Sequence, residues 1–175
     1  NPEQTKVQDF LAPEYLTDTE RKYLFEGYVV YQLIHPDVKP EEYDDSDKAR
    51  IVAVSDIQNN VSKLYNWEAF RDETTQKLVY RPVEQVAGED AGVRHTFRIT
   101  EDKFAKGNAN ELVNHKRYYY AVIAYAYNNY KTFNPATGQG QKNTFIRSNA
   151  GIEVYTVIPR PVLDRHLQAS YGEQT

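Results

Sequence analysis

The strongest structural signal in this chain is residues 118–127, which read Tyr-Tyr-Tyr-Ala-Val-Ile-Ala-Tyr-Ala-Tyr. Tyr, Val and Ile favour the pleated surface of a β-sheet, and successive side chains of a strand point to opposite faces. Tyr118, Tyr120 and Val122 therefore share one face of the predicted strand, and Ile123 and Tyr125 share the other. The run predicts a long β-strand, which a pair of Asn residues then ends.

Further strands are predicted wherever β-branched and aromatic residues alternate between turn signals. They cover residues 23–34, 51–57, 61–67, 77–81, 93–99 and 150–158. The segment 61–67 is expected to pair back as a hairpin, and 93–99 is expected to be a half-buried strand. Residues 35–50 and 131–149 are predicted loops. Many short strands with little helix predict an all-β, antiparallel sandwich.

Composition excludes several classes of protein. A net charge of −4 and a pI of about 5.6 make the chain a poor partner for phosphate backbones, so no nucleic-acid binding is expected. No apolar run is long enough for a membrane span. The absence of Cys excludes disulfides, thiolate zinc sites and thiol nucleophiles.

The chain has no Met and begins with Asn1, so we expect a processed product or a part of a longer polypeptide. Residues 1–22 are predicted to be an extended leader, and 23–158 the β-sandwich. Residues 159–175 contain Pro159 and Pro161 and are expected to be a linker or tail that continues to a next region.

One stretch carries a resemblance to a known family. Leu112 precedes Tyr118 by six residues, and apolar side chains follow at alternate positions. The stretch resembles strand F of a fibronectin type III domain with its tyrosine corner, in which a Tyr hydroxyl bonds back to the backbone near the strand start. Residues 25–31 resemble strand C, and 152–158 resemble strand G. The structural residues that this resemblance implies are Tyr118, Leu112, Tyr120, Val122, Phe25, Tyr28 and Val30.

The resemblance implies an immunoglobulin-like, fibronectin type III β-sandwich with a long insertion between strands C and F, at about 35–110. It also implies that strands A and B precede strand C, yet residues 1–22 contain no convincing pair. We expect those strands to lie upstream of Asn1, or another segment to replace them. If they lie upstream, the isolated piece exposes an unpaired sheet edge and is unstable, or a partner strand completes it.

A broader likeness covers most of the chain. The order of the segments 25–33, 49–59, 92–100 and 114–125 resembles large secreted or cell-surface proteins of Bacteroidota that the type IX secretion system exports. This likeness implies a secreted or cell-surface location. It also implies that the partners are neighbouring domains of the same polypeptide or another surface protein.

The candidate binding residues are aromatic. Tyr is amphipathic and has few torsions to freeze, which suits contact with sugars and proteins. Either these side chains form an exposed binding face, or the long insertion covers them. The candidates are Tyr119, Tyr125, Tyr127, Tyr130 and Trp67.

Metal and catalytic signals are weak. Asp44, Asp45 and Asp47 could offer oxygen ligands to calcium, but their spacing lacks the calcium-loop pattern, so a solvated loop is favoured and no cofactor is expected. The four His residues (His35, His95, His115 and His166) lie far apart in sequence and predict no zinc site. Motifs of serine hydrolases, phosphate-binding loops and zinc proteases are absent.

These observations predict a non-catalytic structural or interaction module of a larger secreted or surface protein. The alternative is a carbohydrate-binding accessory module of a secreted enzyme, which would use exposed Tyr side chains and Trp67. A third, weaker hypothesis is an enzyme whose chemistry lies in the long insertion.

Overall fold

A computed structural model describes residues 2–149 and 151–161 of the chain. Two short 3-10 helices lie at Pro2–Gln4 and Pro40–Glu42, and the other regular elements are strands. The strands are β1 (Lys6–Gln8), β2 (Lys22–Leu33), β3 (Ala49–Asp56), β4 (Lys63–Arg71), β5 (Leu78–Ala87), β6 (Tyr118–Tyr127), β7 (Phe145–Arg147) and β8 (Val154–Val157).

The two longest apolar strands form the centre of one antiparallel sheet. Strand β2 pairs with β6, so that Val30 lies opposite Val122 and Tyr31 lies opposite Ala121. Strands β1 and β3 both pair with β2, and β7 and β8 both pair with β6. Strands β4 and β5 form a separate antiparallel hairpin. The prediction of an all-β, antiparallel fold is therefore confirmed.

The sheet has two faces with different surroundings. The face that carries Val29, Tyr31 and Ile123 packs against Leu64 of β4 and Val86 of β5, and we call it the hairpin face. The loop between β2 and β3 adds further apolar side chains to this core. Because each of these residues is almost fully buried, this layer is the main hydrophobic core.

The opposite side of the sheet is the open face. Val30, Tyr118 and Tyr120 form a smaller buried cluster there, against which Phe97 and Leu112 pack. Strand β8 extends the open face, with Tyr155 opposite Tyr120 and Val157 opposite Tyr118.

Gly27 lies at an irregularity in β2, where the register with β6 shifts between Phe25 and Gly27. A Cβ atom at this position would collide with the backbone carbonyl oxygen of Ser55 on β3. The close approach of two backbones therefore requires glycine here.

The hydroxyl of Tyr118 accepts a hydrogen bond of 2.8 Å from the backbone N–H of Val113. This is the bond back to the chain before the strand that the sequence predicts for Tyr118. Leu112 packs against the same cluster. The bond fixes the turn that leads into β6.

Several local predictions are wrong. Residues 61–67 do not pair with the preceding strand, because β4 pairs with β5 instead. The predicted loop 131–149 contains β7. Residues 93–99 belong to no strand of the described chain, although exposure alternates along 96–100 as it does in a β-strand.

Candidate functional site

Most of the predicted face of outward-pointing tyrosines lies under the β4–β5 hairpin. Tyr125 is only 3% exposed, and its ring lies 5.4 Å from that of Phe145. Burial also raises the pKa of its hydroxyl. Tyr119 and Tyr127 are half-buried and pack against the same core. The prediction of Tyr125 as an exposed binding residue is therefore wrong, because the β4–β5 hairpin covers this side of the sheet.

Trp67 and Tyr127 line one small groove at the edge of the hairpin, with a volume of about 150 Å³. The Trp67 ring lies 5.3 Å from the ring of Phe133. Exposed Asn129 and Thr132 add polar groups at its rim. The groove thus combines half-buried aromatic faces with amide and hydroxyl groups.

Tyr130 lies in a different groove, of about 240 Å³. The centre of that region is Gln141, which is 3% exposed. Its side-chain amide donates hydrogen bonds to Asp9 Oδ2 at 2.6 Å and to the Tyr23 hydroxyl at 3.1 Å. These bonds tie the leader to the loop before β7. The five predicted binding residues are therefore not one surface.

Exposed apolar side chains of β6 and β8 lie together on the open face. Val122, Tyr155 and Val157 are 40%, 48% and 43% exposed. They line a groove of about 330 Å³ together with Val30, Phe97, Ile99, Leu112 and Tyr120. Val122, one of the predicted structural residues, lies on β6 opposite Val30 but is itself 40% exposed.

A second groove, of about 550 Å³, continues along the same strand. Ala124 and Ala126 of β6 lie at its base, with Phe25 opposite Ala126 in the register. Pro2 and Val7 form its wall on the side of the chain's first residues. Along the open face of β6, Val122 is exposed and Ala124 is half-buried, whereas Tyr120 and Ala126 are only 6% and 8% exposed.

The alternation of side chains in residues 118–127 predicts which residues of β6 lie on the open face, but it does not predict how exposed they are. A buried polar group marks the same region. Tyr120 is 6% exposed, and its hydroxyl has no hydrogen-bond partner among residues 2–149 and 151–161. Burial and the Asp102 carboxylate raise the pKa of this hydroxyl to about 12. A buried hydroxyl normally has a partner.

Ion pairs hold the loop that contains the predicted metal ligands Asp44, Asp45 and Asp47. Both carboxylate oxygens of Asp44 accept hydrogen bonds from the Arg147 guanidinium, at 2.7 and 2.9 Å. Asp45 lies 3.6 Å from Lys48, and its carboxylate accepts the N–H of Asp47. Within the described ranges, no three His, Asp or Glu side chains are arranged to hold a metal ion.

The His residues are not brought together. His95 Nε2 lies 3.6 Å from Glu3, and His35 lies beside Asp37. His115 adopts a positive φ of 65° in the turn before β6. His166 and most of the predicted tail lie outside the described residues.

Two buried carboxyl groups escaped the sequence analysis. Glu26 and Asp56 are both 2% exposed, and the Asn59 amide donates to both oxygens of Glu26. Burial, opposed by the Asn59 hydrogen bond and increased by the charges of Asp56 and Asp90, raises the pKa of Glu26 to about 7. In the sequence, Glu26 could have been recognised as unusual because it is a charged residue within the apolar run of β2.

A second buried network holds the segment after residue 99. Gln32 donates to Asp102 Oδ1 at 2.7 Å and accepts from the N–H of Lys103 at 2.7 Å. Lys116 donates to the other oxygen of Asp102 at 2.8 Å. Asp102 is therefore a structural anchor, whereas the adjacent Glu101 forms an exposed ion pair with Lys103.

Comparison with protein-family models, with curated proteins and with solved structures finds no match. In the part of the chain that the structure describes, no helix has the length and hydropathy needed to cross a bilayer.

Proposed function

We propose that this chain is a non-catalytic structural or interaction module of a larger secreted or cell-surface protein, and that it contacts a neighbouring polypeptide through the open face. The single observation that carries the proposal is the exposure of Val122, Tyr155 and Val157 above an apolar groove. Contiguous apolar patches of this kind mark protein contacts.

The proposed architecture is an immunoglobulin-like, fibronectin type III sandwich. The strand order β3–β2–β6–β8 and the hydrogen bond to the Tyr118 hydroxyl support it. In this assignment β2, β6 and β8 are strands C, F and G, and the β4–β5 hairpin belongs to the insertion. The resemblance to exported proteins of Bacteroidota supports the proposed extracellular location.

The buried polar side chains described above also support a structural role. Gln32, Asp102 and Gln141 each form hydrogen bonds with backbone groups or with neighbouring side chains, among them the Lys116 ammonium on Asp102. Such satisfied networks fix loops in place.

Photocrosslinking in the full-length native protein tests this function. A photoreactive phenylalanine analogue at Tyr155 is expected to form one dominant adduct with a defined polypeptide segment. The matched control carries the same analogue at Leu78, which is 63% exposed at the start of β5. Equal, diffuse labelling from both positions would contradict a specific contact at the open face.

The second candidate function is carbohydrate binding, and the groove of Trp67 and Tyr127 favours it. Aromatic faces beside amide and hydroxyl groups match the apolar and polar sides of a sugar ring. Trp67→Ala is expected to abolish binding on a glycan array, whereas Phe70→Ala on the same strand leaves it unchanged. Absence of binding by the unaltered protein to any glycan would reject this candidate.

A further inference from the structure

A lysine ammonium lies beside the groove of Trp67 and Tyr127. The backbone C=O of Lys142 accepts a hydrogen bond of 2.9 Å from the N–H of Trp67, so the two residues are direct neighbours on adjacent segments. The Lys142 ammonium lies over the Tyr80 ring, 4.5 Å from its centre, and 5.9 Å from the centre of the Phe133 ring. Phe133 also lines the groove, with its ring 5.3 Å from that of Trp67. One aromatic cluster therefore borders the groove and supports the ammonium.

Within residues 2–149 and 151–161, no carboxylate lies within ion-pair distance of Lys142. Its exposed ammonium donates a hydrogen bond of 3.0 Å to the hydroxyl of Tyr80. The ammonium groups of Lys48 and Lys116, by contrast, pair with carboxylates at 2.7 and 2.8 Å. Because an ammonium has three N–H donors, Lys142 can still bind an anionic group.

The lining of the groove has the opposite charge from the chain as a whole. Among the residues that the structure describes, those that line the groove include Lys63 and no acidic residue. The carboxylate of Glu84 lies 4.0 Å from the Lys63 ammonium and also accepts the Tyr65 hydroxyl, so Lys63 is partly neutralised and Lys142 is not. In a chain with a net charge of −4, two ammonium groups beside one aromatic groove favour a negatively charged ligand there.

A sugar that carries a carboxylate matches every group at this groove. The apolar face of its ring would stack on Trp67, and its hydroxyls would bond to the exposed side chains of Asn129 and Thr132. Its carboxylate would accept charge-assisted hydrogen bonds from Lys142, which are stronger than bonds between neutral groups. A neutral sugar would leave the ammonium unused, and a small inorganic anion would leave the aromatic faces unused.

We propose that the groove of Trp67 and Tyr127 binds a sugar of the uronic acid class, and that Lys142 selects the acidic sugar over its neutral counterpart. This inference rests on the carbohydrate-binding candidate and names its substrate class. It is compatible with a protein contact at the open face, because the groove lies at the edge of the hairpin, which covers the other face of the sheet.

The first test compares each acidic sugar with its own neutral form, using the full-length native protein. The probes are pairs of uronic acid oligosaccharides, one as the free acid and one as the methyl ester, which removes the charge and keeps the ring and hydroxyls. At least one free acid is expected to bind about tenfold more tightly than its ester, and raised salt should weaken that binding.

The same array carries neutral and sulfated oligosaccharides, which separate the possible failures. Equal or tighter binding of the esters, of other neutral sugars or of sulfated sugars would overturn the inference and leave the carbohydrate-binding candidate standing. Absence of binding to every glycan would reject that candidate and the inference together.

The second test assigns the selectivity to one side chain. Lys142→Gln is expected to bind the free acid about tenfold more weakly and the ester as before, whereas Lys142→Arg retains the preference for the acid. Glu84→Gln removes a competing carboxylate and should tighten binding of the acid. The matched control is Lys77→Gln, which changes an exposed lysine just before β5 and should alter neither affinity. Equal losses for acid and ester in Lys142→Gln, or an unchanged preference for the acid, would overturn the inference.

Discussion

The buried carboxyl group of Glu26 makes the stability of this protein dependent on pH. Glu26 is 2% exposed, its two oxygens accept only the Asn59 amide among the hydrogen bonds described, and its pKa is raised from 4.5 to about 7. The folded state therefore binds this proton more tightly than the unfolded chain does. Stability from this group is fully present below pH 4.5 and is lost as the pH rises through 7.

The magnitude follows from the size of the pKa shift. Each unit is worth about 1.4 kcal/mol, so a shift of this size is worth about 3 kcal/mol between pH 4 and pH 8. Glu26→Gln removes the titration while keeping a carbonyl oxygen for the Asn59 amide. We expect the variant to be more stable than the unaltered protein at pH 8, and the difference to disappear near pH 4.5.

Urea denaturation followed by tyrosine fluorescence, at intervals from pH 4.5 to pH 8, measures this effect. Glu68→Gln is the matched control, because it makes the same chemical change at an exposed position on β4. The control should follow the pH profile of the unaltered protein. Parallel profiles for Glu26→Gln and the unaltered protein would refute the reasoning, since they would show that Glu26 titrates alike in both states.

Three further substitutions test the packing of the sheet. Tyr118→Phe removes the acceptor of the Val113 N–H and should lower the free energy of unfolding by about 1 kcal/mol in urea denaturation. Gly27→Ala forces a Cβ against the Ser55 carbonyl and should lower the melting temperature in calorimetry, at a cost of about 1–3 kcal/mol. Gln32→Leu leaves buried polar groups unpaired and should cost about 2 kcal/mol, with faster proteolysis of the segment around residue 103. No loss in any of these assays would contradict the corresponding contact.

The sequence predicts the central strands well because their alternation is long and uninterrupted. Residues 23–34 and 118–127 correspond to β2 and β6 within a residue. The sequence predicts only a short strand at 77–81, which Pro82 follows, whereas β5 continues to Ala87. Pro82 has no N–H to donate, and a strand can carry it where that donor is not needed.

Alternation cannot say which of two apolar faces meets solvent. Tyr125 and Val122 both have apolar neighbours at alternate positions of β6, so the sequence predicts equal burial for them. In the structure Tyr125 is 3% exposed and Val122 is 40% exposed. The difference comes from Leu64 and Val86, which lie far away in the chain and cover only the hairpin face. Contacts between segments so distant in sequence leave no local pattern that could reveal them.

The segment 93–99 shows that side-chain alternation also does not establish strand pairing. Its alternation correctly predicts that Phe97 and Ile99 are partly buried. A strand also requires a hydrogen-bonded neighbour, and none of the described residues supplies one. A strand prediction can therefore be correct about side chains and wrong about pairing.

Strand β6 is apolar on both faces, although one of these faces is partly exposed. A strand that meets water on one side usually alternates apolar and polar residues. Here Ile123 and Tyr125 face the hairpin, whereas Val122 and Ala124 face the other way. The β4–β5 hairpin covers most of the first side, and Phe97 and its neighbours cover only part of the second. The proposed contact at the open face would account for the apolar side chains that stay exposed there, and the crosslinking experiment at Tyr155 tests that contact.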